Sequence, residues 1–179
     1  SGKKIALVPT MGALHEGHLA LVKKAREVAD IVVVSIFVNK AQFNDASDYK
    51  KYPRQVKTDL EKLKKSGATH VFIPEDKEIF PEDFSFKIIP TSLVDCLCGA
   101  HRPGHFDGVA LVVAKLFNIV QPDIAIFGQK DFQQLLTIKK LVSDLNFDVE
   151  IIGHKILRHK SGLAMSSRNQ RLSEENKDK

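Results

Sequence analysis

An alternation of short apolar runs with amphipathic segments is the feature that most constrains the fold of this chain. The run at 31–38 (IVVVSIFV) is apolar at every position except Ser35, and it is rich in β-branched residues. A strand that faces solvent on one side alternates apolar and polar residues, so a continuous run predicts a strand that is buried on both faces. Such strands occupy the middle of parallel sheets, which carry helices on both sides. The run therefore predicts an α/β protein.

The rest of the chain continues this alternation of strand and helix. Strands are predicted at 4–8, 31–38, 70–73, 86–89, 124–127 and 149–152, and helices at 17–29, 54–66, 108–120 and 131–145. The predicted helices carry apolar residues three and four positions apart, whereas the predicted strands are short and largely apolar. We therefore predict a doubly wound α/β domain with a parallel sheet.

Composition excludes several classes of protein. With 179 residues, 43% hydrophobic and 27% charged, the chain is long enough to bury a core without disulfide bonds. The longest apolar run is only eight residues and cannot span a bilayer, so no membrane segment is expected. Two cysteines, Cys96 and Cys98, are too few for a disulfide framework, which favours a cytoplasmic location. They also lack the second pair that a zinc site of this type needs.

The charge of the chain indicates the kind of partner. A net charge of +5 and a pI of about 9.1 favour anionic ligands such as nucleotides. Nucleic acid is not expected as a partner, because the lysines are spread along the chain and no arginine-rich tract carries interleaved aromatic residues. Two tyrosines and no tryptophan also supply few surfaces for base stacking.

The loop after the first predicted strand carries the first candidate site. Doubly wound sheets bind ligands at the carboxyl ends of their strands, so this loop, PTMGALHEGH at 9–18, is well placed. Gly12 and Gly17 permit tight turns, and the next helix begins with free N–H groups that favour phosphate. His15 and His18 are three residues apart and can donate hydrogen bonds to phosphate oxygens. A plain turn with two surface histidines is the alternative. A zinc site is disfavoured, since the metalloprotease helix spaces its histidines four apart.

Three later loops carry polar residues of the kind that bind a nucleotide and a small acid. At 39–44, amide side chains can recognise hydroxyl groups and a carboxylate. At 128–131 (GQKD), Lys130 supplies a charge for phosphate, and Asp131 can cap the next helix or bind ribose hydroxyls. At 162–169 (GLAMSSRN), small hydroxyls beside Arg168 suit a triphosphate. Each of these loops, taken alone, is also typical of a polar connection or a helix cap.

The turn at 102–108 (RPGHFDG) leads into the most apolar predicted helix. Its glycines and proline are typical of a structural connection. On the helix that follows, Val109, Val112 and Val113 could wall the apolar part of a pocket or belong to the core.

Five motifs in series resemble the pantoate–β-alanine ligase family. They are PTMGALHEGH at 9–18, FVNKAQF at 37–43, RPGHFDGV at 102–109, GQKDFQQ at 128–134 and GLAMSSRN at 162–169, and they cover nearly the whole chain. The resemblance implies a Rossmann-like domain of the nucleotidyltransferase superfamily at 1–169, with its HxGH signature at 15–18. It also implies that 170–179 begins a C-terminal lid domain.

The resemblance implies a reaction in two steps. ATP and pantoate, with Mg²⁺ as cofactor, give pantoyl adenylate and pyrophosphate, and β-alanine then attacks the adenylate to give pantothenate and AMP. Family members are expected to be homodimers. Two other interpretations stay open, namely a nucleotide-binding module without turnover and a cytidylyltransferase of the same superfamily. Gln42 and Gln134 argue against the cytidylyltransferase.

The site residues of the family carry over motif by motif. The resemblance implies ATP contacts at Met11, Gly12, Ala13, Leu14, His15, Glu16, Gly17, His18, Gly128, Gln129, Lys130, Asp131, Leu157, Met165, Ser166, Ser167 and Arg168. It implies catalytic roles for His15, His18, Lys130, Ser166, Ser167 and Arg168, with His18 as the proton donor and Lys130 on phosphate. Gln42 and Gln134 are implied to hold pantoate, and Gln42 also lies near the β-alanine site. The metal ligands are not indicated.

Overall fold

Five parallel strands form one sheet in the computed structural model, which describes residues 2–173 apart from the side chains of Gln170 and Arg171. The strands are β1 (Ile5–Thr10), β2 (Ile31–Ile36), β3 (His70–Phe72), β4 (Ile124–Gly128) and β5 (Glu150–His154). Their order across the sheet is β3-β2-β1-β4-β5, and every neighbouring pair is parallel. This order confirms the predicted doubly wound α/β fold.

Helices connect the strands. They are α1 (Glu16–Val28), α2 (Ala46–Lys51), α3 (Val56–Ser66), α4 (Asp76–Ile79), α5 (Leu97–Ala100), α6 (His105–Val120) and α7 (Phe132–Asp144). Short 3₁₀ helices lie at Lys40–Gln42, Gln129–Asp131 and Ser167–Arg171. Helix α6 begins at His105, three residues before its predicted start at Gly108. Gly104 adopts a positive φ of 75°, and this turn leads the chain into the helix. No helix among the described residues is both long and apolar enough to cross a membrane.

The core has one layer on each face of the sheet. Residues of α1 and α3 pack on one face, against Ala6, Val8, Val32 and Val34. Residues of α6 and α7 pack on the other face, where Leu7 and Val33 contribute from the same two strands. Alternate side chains of a strand point to opposite faces, so a strand covered on both sides must be apolar at every position. That requirement explains the continuous run at 31–38.

The prediction of a strand at 86–89 is wrong. These residues lie in an irregular segment in which Phe86 is 77% exposed and Ile89 is 62% exposed. Their apolar pattern is that of a strand, but a strand also needs a hydrogen-bonded neighbour, and none of the five described strands pairs with them. Helices α2, α4 and α5 were not predicted, since helices of four to six residues are too short to show a helical period.

The proposed division into domains stays a prediction. Most of 170–179, the predicted beginning of a lid domain, lies outside the described residues. The sheet and its covering helices lie within residues 5–154.

Candidate functional site

One cavity at the carboxyl edge of the sheet brings four of the predicted loops together. The strand order reverses between β1 and β4, which is where doubly wound folds bind their ligands. The loops after β1, β2, β4 and β5 all reach this point. The predicted site residues that line the cavity are Met11, His15, Gly17, His18, Gln42, Gly128, Lys130, Asp131, Gln134, Leu157, Met165, Ser166, Ser167 and Arg168.

Five of the predicted ATP contacts lie outside this cavity. Glu16 and Gln129 are exposed, and Gly12 lines a neighbouring cavity. Ala13 and Leu14 are fully buried, and their backbone N–H groups donate to a carboxylate of the protein itself. These two amides are therefore already paired within the chain.

That carboxylate is Asp59 of α3, a residue that sequence reasoning missed. Its Oδ2 accepts from Ala13 N at 2.9 Å and its Oδ1 from Leu14 N at 2.8 Å. Ala13 has a φ of 51°, a conformation that costs a non-glycine residue about 1–3 kcal/mol and persists only where the surrounding structure imposes it. Asp59 thus stabilises a strained turn just before α1. One signal could have revealed it, since position 59 falls on the apolar face of α3, between Val56 and Leu63.

His15 and His18 form a pair at the start of α1. The Nδ1 atom of His15 accepts from Gly17 N at 3.1 Å, and Nδ1 of His18 accepts from His15 N at 3.4 Å. The two ring centroids are 4.1 Å apart. Because each Nδ1 is an acceptor, the proton of each neutral ring belongs on Nε2. Both rings then offer an N–H donor to a ligand in the cavity.

Gly17 has a steric role in this pair. A Cβ atom at position 17 would lie 2.9 Å from two atoms of the His15 ring. A side chain there would push the ring away from its capping position. The glycine of the HxGH signature therefore makes room for the first histidine.

The electrostatic environment keeps both rings neutral at neutral pH. Burial, followed by His15, Lys130 and Lys62, lowers the pKa of His18 to about 3. Burial is also the largest of the causes that lower the pKa of His15 to about 4, and the charges of Lys130 and Lys62 contribute to that value. An imidazole whose pKa lies this low is uncharged above about pH 5. The pair consequently acts through hydrogen-bond donation rather than through positive charge.

Lys130 supplies the positive charge that the histidines lack. It follows β4 in the 3₁₀ helix Gln129–Asp131, and its Nζ lies 3.2 Å from Oδ1 of Asp131. Lys130 lines the same cavity as His15 and His18, so the loops after β1 and β4 face the same space. Its charge accordingly lowers the pKa of both histidines. An ammonium beside two neutral N–H donors is an arrangement that binds phosphate groups.

The loop at 162–169, which contains Ser166 and Ser167, lines another side of the cavity. Met165 N donates to Leu157 O at 3.0 Å, so the two predicted contact residues come together. Ser167 Oγ lies 3.2 Å from the hydroxyl of Tyr52, and Arg168 Nη2 donates to Asp48 Oδ2 at 2.8 Å. Two residues therefore hold this loop, namely Asp48 in α2 and Tyr52 directly after it. Sequence reasoning missed both of them.

Two amide side chains in the cavity lie near an apolar wall. Gln42 and Gln134 both line the cavity, as do Val109, Val112 and Val113 of α6. The Nε2 atom of Gln42 lies 3.1 Å from the sulfur of Met11. Polar amides beside a branched aliphatic surface suit a small acid that carries hydroxyl and methyl groups.

Comparison with known proteins identifies the family. A family model described as pantoate-beta-alanine ligase matches residues 1–179. This chain belongs to the pantoate–β-alanine ligase family. The resemblance noted in the five sequence motifs is thereby confirmed.

Curated pantoate–β-alanine ligases are similar along almost all of the chain. The pantothenate synthetase of Thermodesulfovibrio yellowstonii is 56% identical over 173 residues, which is 97% of this chain and 62% of the relative. That of Neisseria meningitidis serogroup C is 56% identical over 176 residues, covering 98% and 63%. The chain therefore spans about 62% of the length of these relatives.

Solved structures of pantoate–β-alanine ligases have the same fold. The enzyme of Thermus thermophilus superposes with a TM-score of 0.95 at 48% identity, covering 97% of this chain and 63% of that one. The enzyme of Francisella tularensis, complexed with beta-gamma ATP and β-alanine, gives a TM-score of 0.94 at 44% identity, covering 96% and 66%.

Proposed function

We propose that this chain is the nucleotide- and pantoate-binding part of an ATP-dependent pantoate–β-alanine ligase. One observation carries the proposal. A single cavity at the switch point of the sheet combines phosphate donors (His15, His18 and Lys130) with two amides beside an apolar wall. Family membership and the nucleotide in the Francisella tularensis complex support the same interpretation.

The proposed reaction needs two kinds of residue in that cavity. In the first step a carboxylate oxygen of pantoate attacks the α-phosphorus of ATP, and the bond to the leaving pyrophosphate breaks. In the second step the amine of β-alanine attacks the acyl carbon, loses a proton and displaces AMP, which leaves the amide pantothenate. Negative charge grows on the pyrophosphate in the first step, so donors fixed beside it lower the barrier. His15, His18, Lys130, Ser166, Ser167 and Arg168 are proposed for that role, and Gln42 and Gln134 for binding pantoate.

Mg²⁺ is proposed as the cofactor of the first step. Among residues 2–173, no three His, Cys, Asp or Glu side chains are grouped so that they could hold a metal ion. Asp131 is the one carboxylate among the described residues that line the cavity. This donor set fits Mg²⁺ that is held mainly by substrate phosphates and water, with at most one or two protein carboxylates. Asp131 would hold the ion, which when bound would offset charge on the triphosphate.

The test of the proposed function is the release of pyrophosphate that depends on pantoate. The assay uses the full-length protein with ATP and Mg²⁺, with and without pantoate. Release only with both substrates is expected. ATP binding without release in the full-length protein would favour a nucleotide-binding module instead. Release from CTP in preference to ATP would favour a cytidylyltransferase.

Gln42→Ala and Gln134→Ala are expected to weaken pantoate binding. Loss of a hydrogen bond in a site built for polar groups costs about 1–3 kcal/mol, or roughly five- to 150-fold in affinity. ATP binding should change by less than about threefold, because neither amide is proposed to contact the nucleotide. Calorimetric titration with each ligand separately measures both effects. Equal losses for the two ligands would contradict the assignment.

A homodimer in the cytoplasm is also proposed. The family resemblance supports the dimer, and so do four exposed apolar side chains along the segment 86–97, since exposed apolar surface can mark an interface. They are Phe86, Ile89, Leu93 and Leu97. The free thiols of Cys96 and Cys98 support the location. Sedimentation of the full-length protein is expected to give the mass of a dimer, and Ile89→Lys the mass of a monomer. A monomeric parent protein would contradict the proposal.

A further inference from the structure

The backbone carbonyl of Gln42 is held by two side chains from the chain segment that enters α6. His105 Nδ1 lies 2.7 Å from this oxygen, and Arg102 Nη2 donates to it at 3.1 Å. Arg102 Nη1 lies in turn 3.2 Å from His105 Nε2. Three groups that are up to 63 residues apart in sequence therefore form one closed set of hydrogen bonds.

This set is satisfied in one protonation state of His105. A carbonyl oxygen can only accept, so the proton of the ring must lie on Nδ1. In the neutral ring Nε2 is then an acceptor, and Arg102 donates to it. A second proton on the ring, at Nε2, would face the N–H of Arg102 with another N–H. It would also place the positive charges of His105 and Arg102 side by side. The geometry therefore requires a neutral His105.

The charges around His105 favour this neutral form. Burial lowers the pKa of its ring, and Arg102 and Arg168 lower it further. The hydrogen bond to Gln42 and the carboxylate of Asp131 act in the opposite direction but do not outweigh burial. Since the pKa lies below its usual value, the ring is mostly neutral at pH 7 and the hydrogen-bond set is complete.

The loop that carries Gln42 also contacts the start of α6 at other points. A Cβ atom at Gly108 would lie 2.5 Å from the carbonyl carbon of Ala41 and 2.7 Å from Gln42 N, so the backbone of α6 directly touches the loop. Asn39, which is 1% exposed, donates from Nδ2 to Gly108 O and to Gln42 Oε1, both at 3.0 Å. The main chain and the amide of Gln42 are thus fixed together against the start of α6.

We propose that His105 and Arg102 are positioning residues, which orient Gln42 so that its amide meets the substrate acid. The inference rests on the proposed function, in which Gln42 binds pantoate. The two residues act through the backbone of position 42. They pre-organise the loop, so that binding does not have to order it.

The test compares three replacements of His105 in the full-length protein. In His105→Asn the amide nitrogen takes the place of Nδ1 and can still donate to Gln42 O. In His105→Gln the amide lies one bond farther along the side chain, near the place of Nε2, and His105→Ala has no donor. We expect the alanine and glutamine variants to lose at least fivefold in pantoate affinity, the scale for a buried carbonyl left unpaired. The asparagine variant should stay within about threefold of the parent protein.

Arg102→Lys provides a second, independent variant. Lysine keeps the positive charge but lacks the planar fork that reaches both Gln42 O and His105 Nε2. We expect it to weaken pantoate binding in the same direction as His105→Ala. ATP affinity should change by less than about threefold in all four variants, because none of them replaces His15, His18 or Lys130, the proposed phosphate donors.

Hydrogen exchange of residues 39–43 without any ligand separates this inference from the proposed function. Faster exchange in His105→Ala but not in His105→Asn is expected. If exchange becomes faster in His105→Ala only, while pantoate affinity is unchanged, then Gln42 does not bind pantoate. The proposed function would then be wrong in assigning that role to Gln42. If exchange does not change in His105→Ala, or if His105→Asn is as impaired as His105→Ala, the positioning role is wrong.

Discussion

Lys130→Ala is expected to slow pantoate-dependent pyrophosphate formation at least a hundredfold. In the proposed adenylation step the leaving pyrophosphate gains negative charge, and a fixed ammonium interacts more strongly with the transition state than with bound ATP. Removal of one such group typically costs about 10²–10³ in rate. Lys130 is suited to this role because its charge already acts on the two histidines across the cavity. Rapid-quench measurement of pyrophosphate in the full-length protein tests the expectation.

The second half of the reaction serves as an internal control for this variant. No pyrophosphate takes part when β-alanine attacks pantoyl adenylate, so Lys130→Ala should convert supplied adenylate at nearly the parent rate. Lys139→Ala is a matched control, since this lysine is exposed and lies away from the cavity on α7. It should leave both steps unchanged. A Lys130 variant impaired mainly in the β-alanine step would place the lysine on the wrong half of the reaction.

His18→Ala should also reduce pyrophosphate formation by about a hundredfold or more, as the loss of a donor aimed at developing charge does. The pKa of His18 is lowered to about 3, so the ring is neutral and its donor state does not change above about pH 5. We therefore expect the rate of the first step to show no acid limb from His18 between pH 5 and 8. His18→Gln, whose amide can place an N–H near the position of Nε2, should lose less activity than His18→Ala.

Two measurements check the His18 prediction. His101→Ala is the matched control, because this histidine is exposed at the end of α5, and its rate should equal that of the parent protein. A pH profile of each variant tests the charge state. An acid limb centred near pH 6.5 that disappears in His18→Gln would mean that His18 acts as a cation, contrary to the expectation.

Much of the fold could be predicted from local pattern alone. The run at 31–38 had to be apolar on both faces because helices cover both sides of β2, so it indicated a central parallel strand. Once the strands were recognised, the order of a doubly wound sheet placed the loops at 9–18 and 128–131 at one edge. His15, His18 and Lys130 could therefore be named as neighbours even though more than a hundred residues separate the two loops.

One physical cause underlies both the wrong strand and the missed site contacts, namely that the deciding partner lies far away in the sequence. The segment at 86–89 has the composition of a strand, but strand formation depends on hydrogen bonds to a neighbour, and local pattern carries no information about it. The side chain of Asp59 accepts from backbone amides 45 and 46 residues away, and Tyr52 meets Ser167 across 115 residues. The position of Asp59 on the apolar face of α3 marks it as unusual, but nothing in the immediate neighbourhood of either residue identifies its partner.

The sequence by itself determined the class of fold, the edge of the sheet at which the candidate site lies and the residue types that gather there. Periodicity and glycine placement are local consequences of backbone geometry, so they can be read without coordinates. Only the tertiary structure decided which groups are free to meet a ligand. The amides of Ala13 and Leu14 are paired with Asp59, whereas the Nε2 atoms of His15 and His18 remain available as donors. Hydrogen-bonding capacity and pKa depend on desolvation and on charges brought close by folding, and these exist only once the chain has packed.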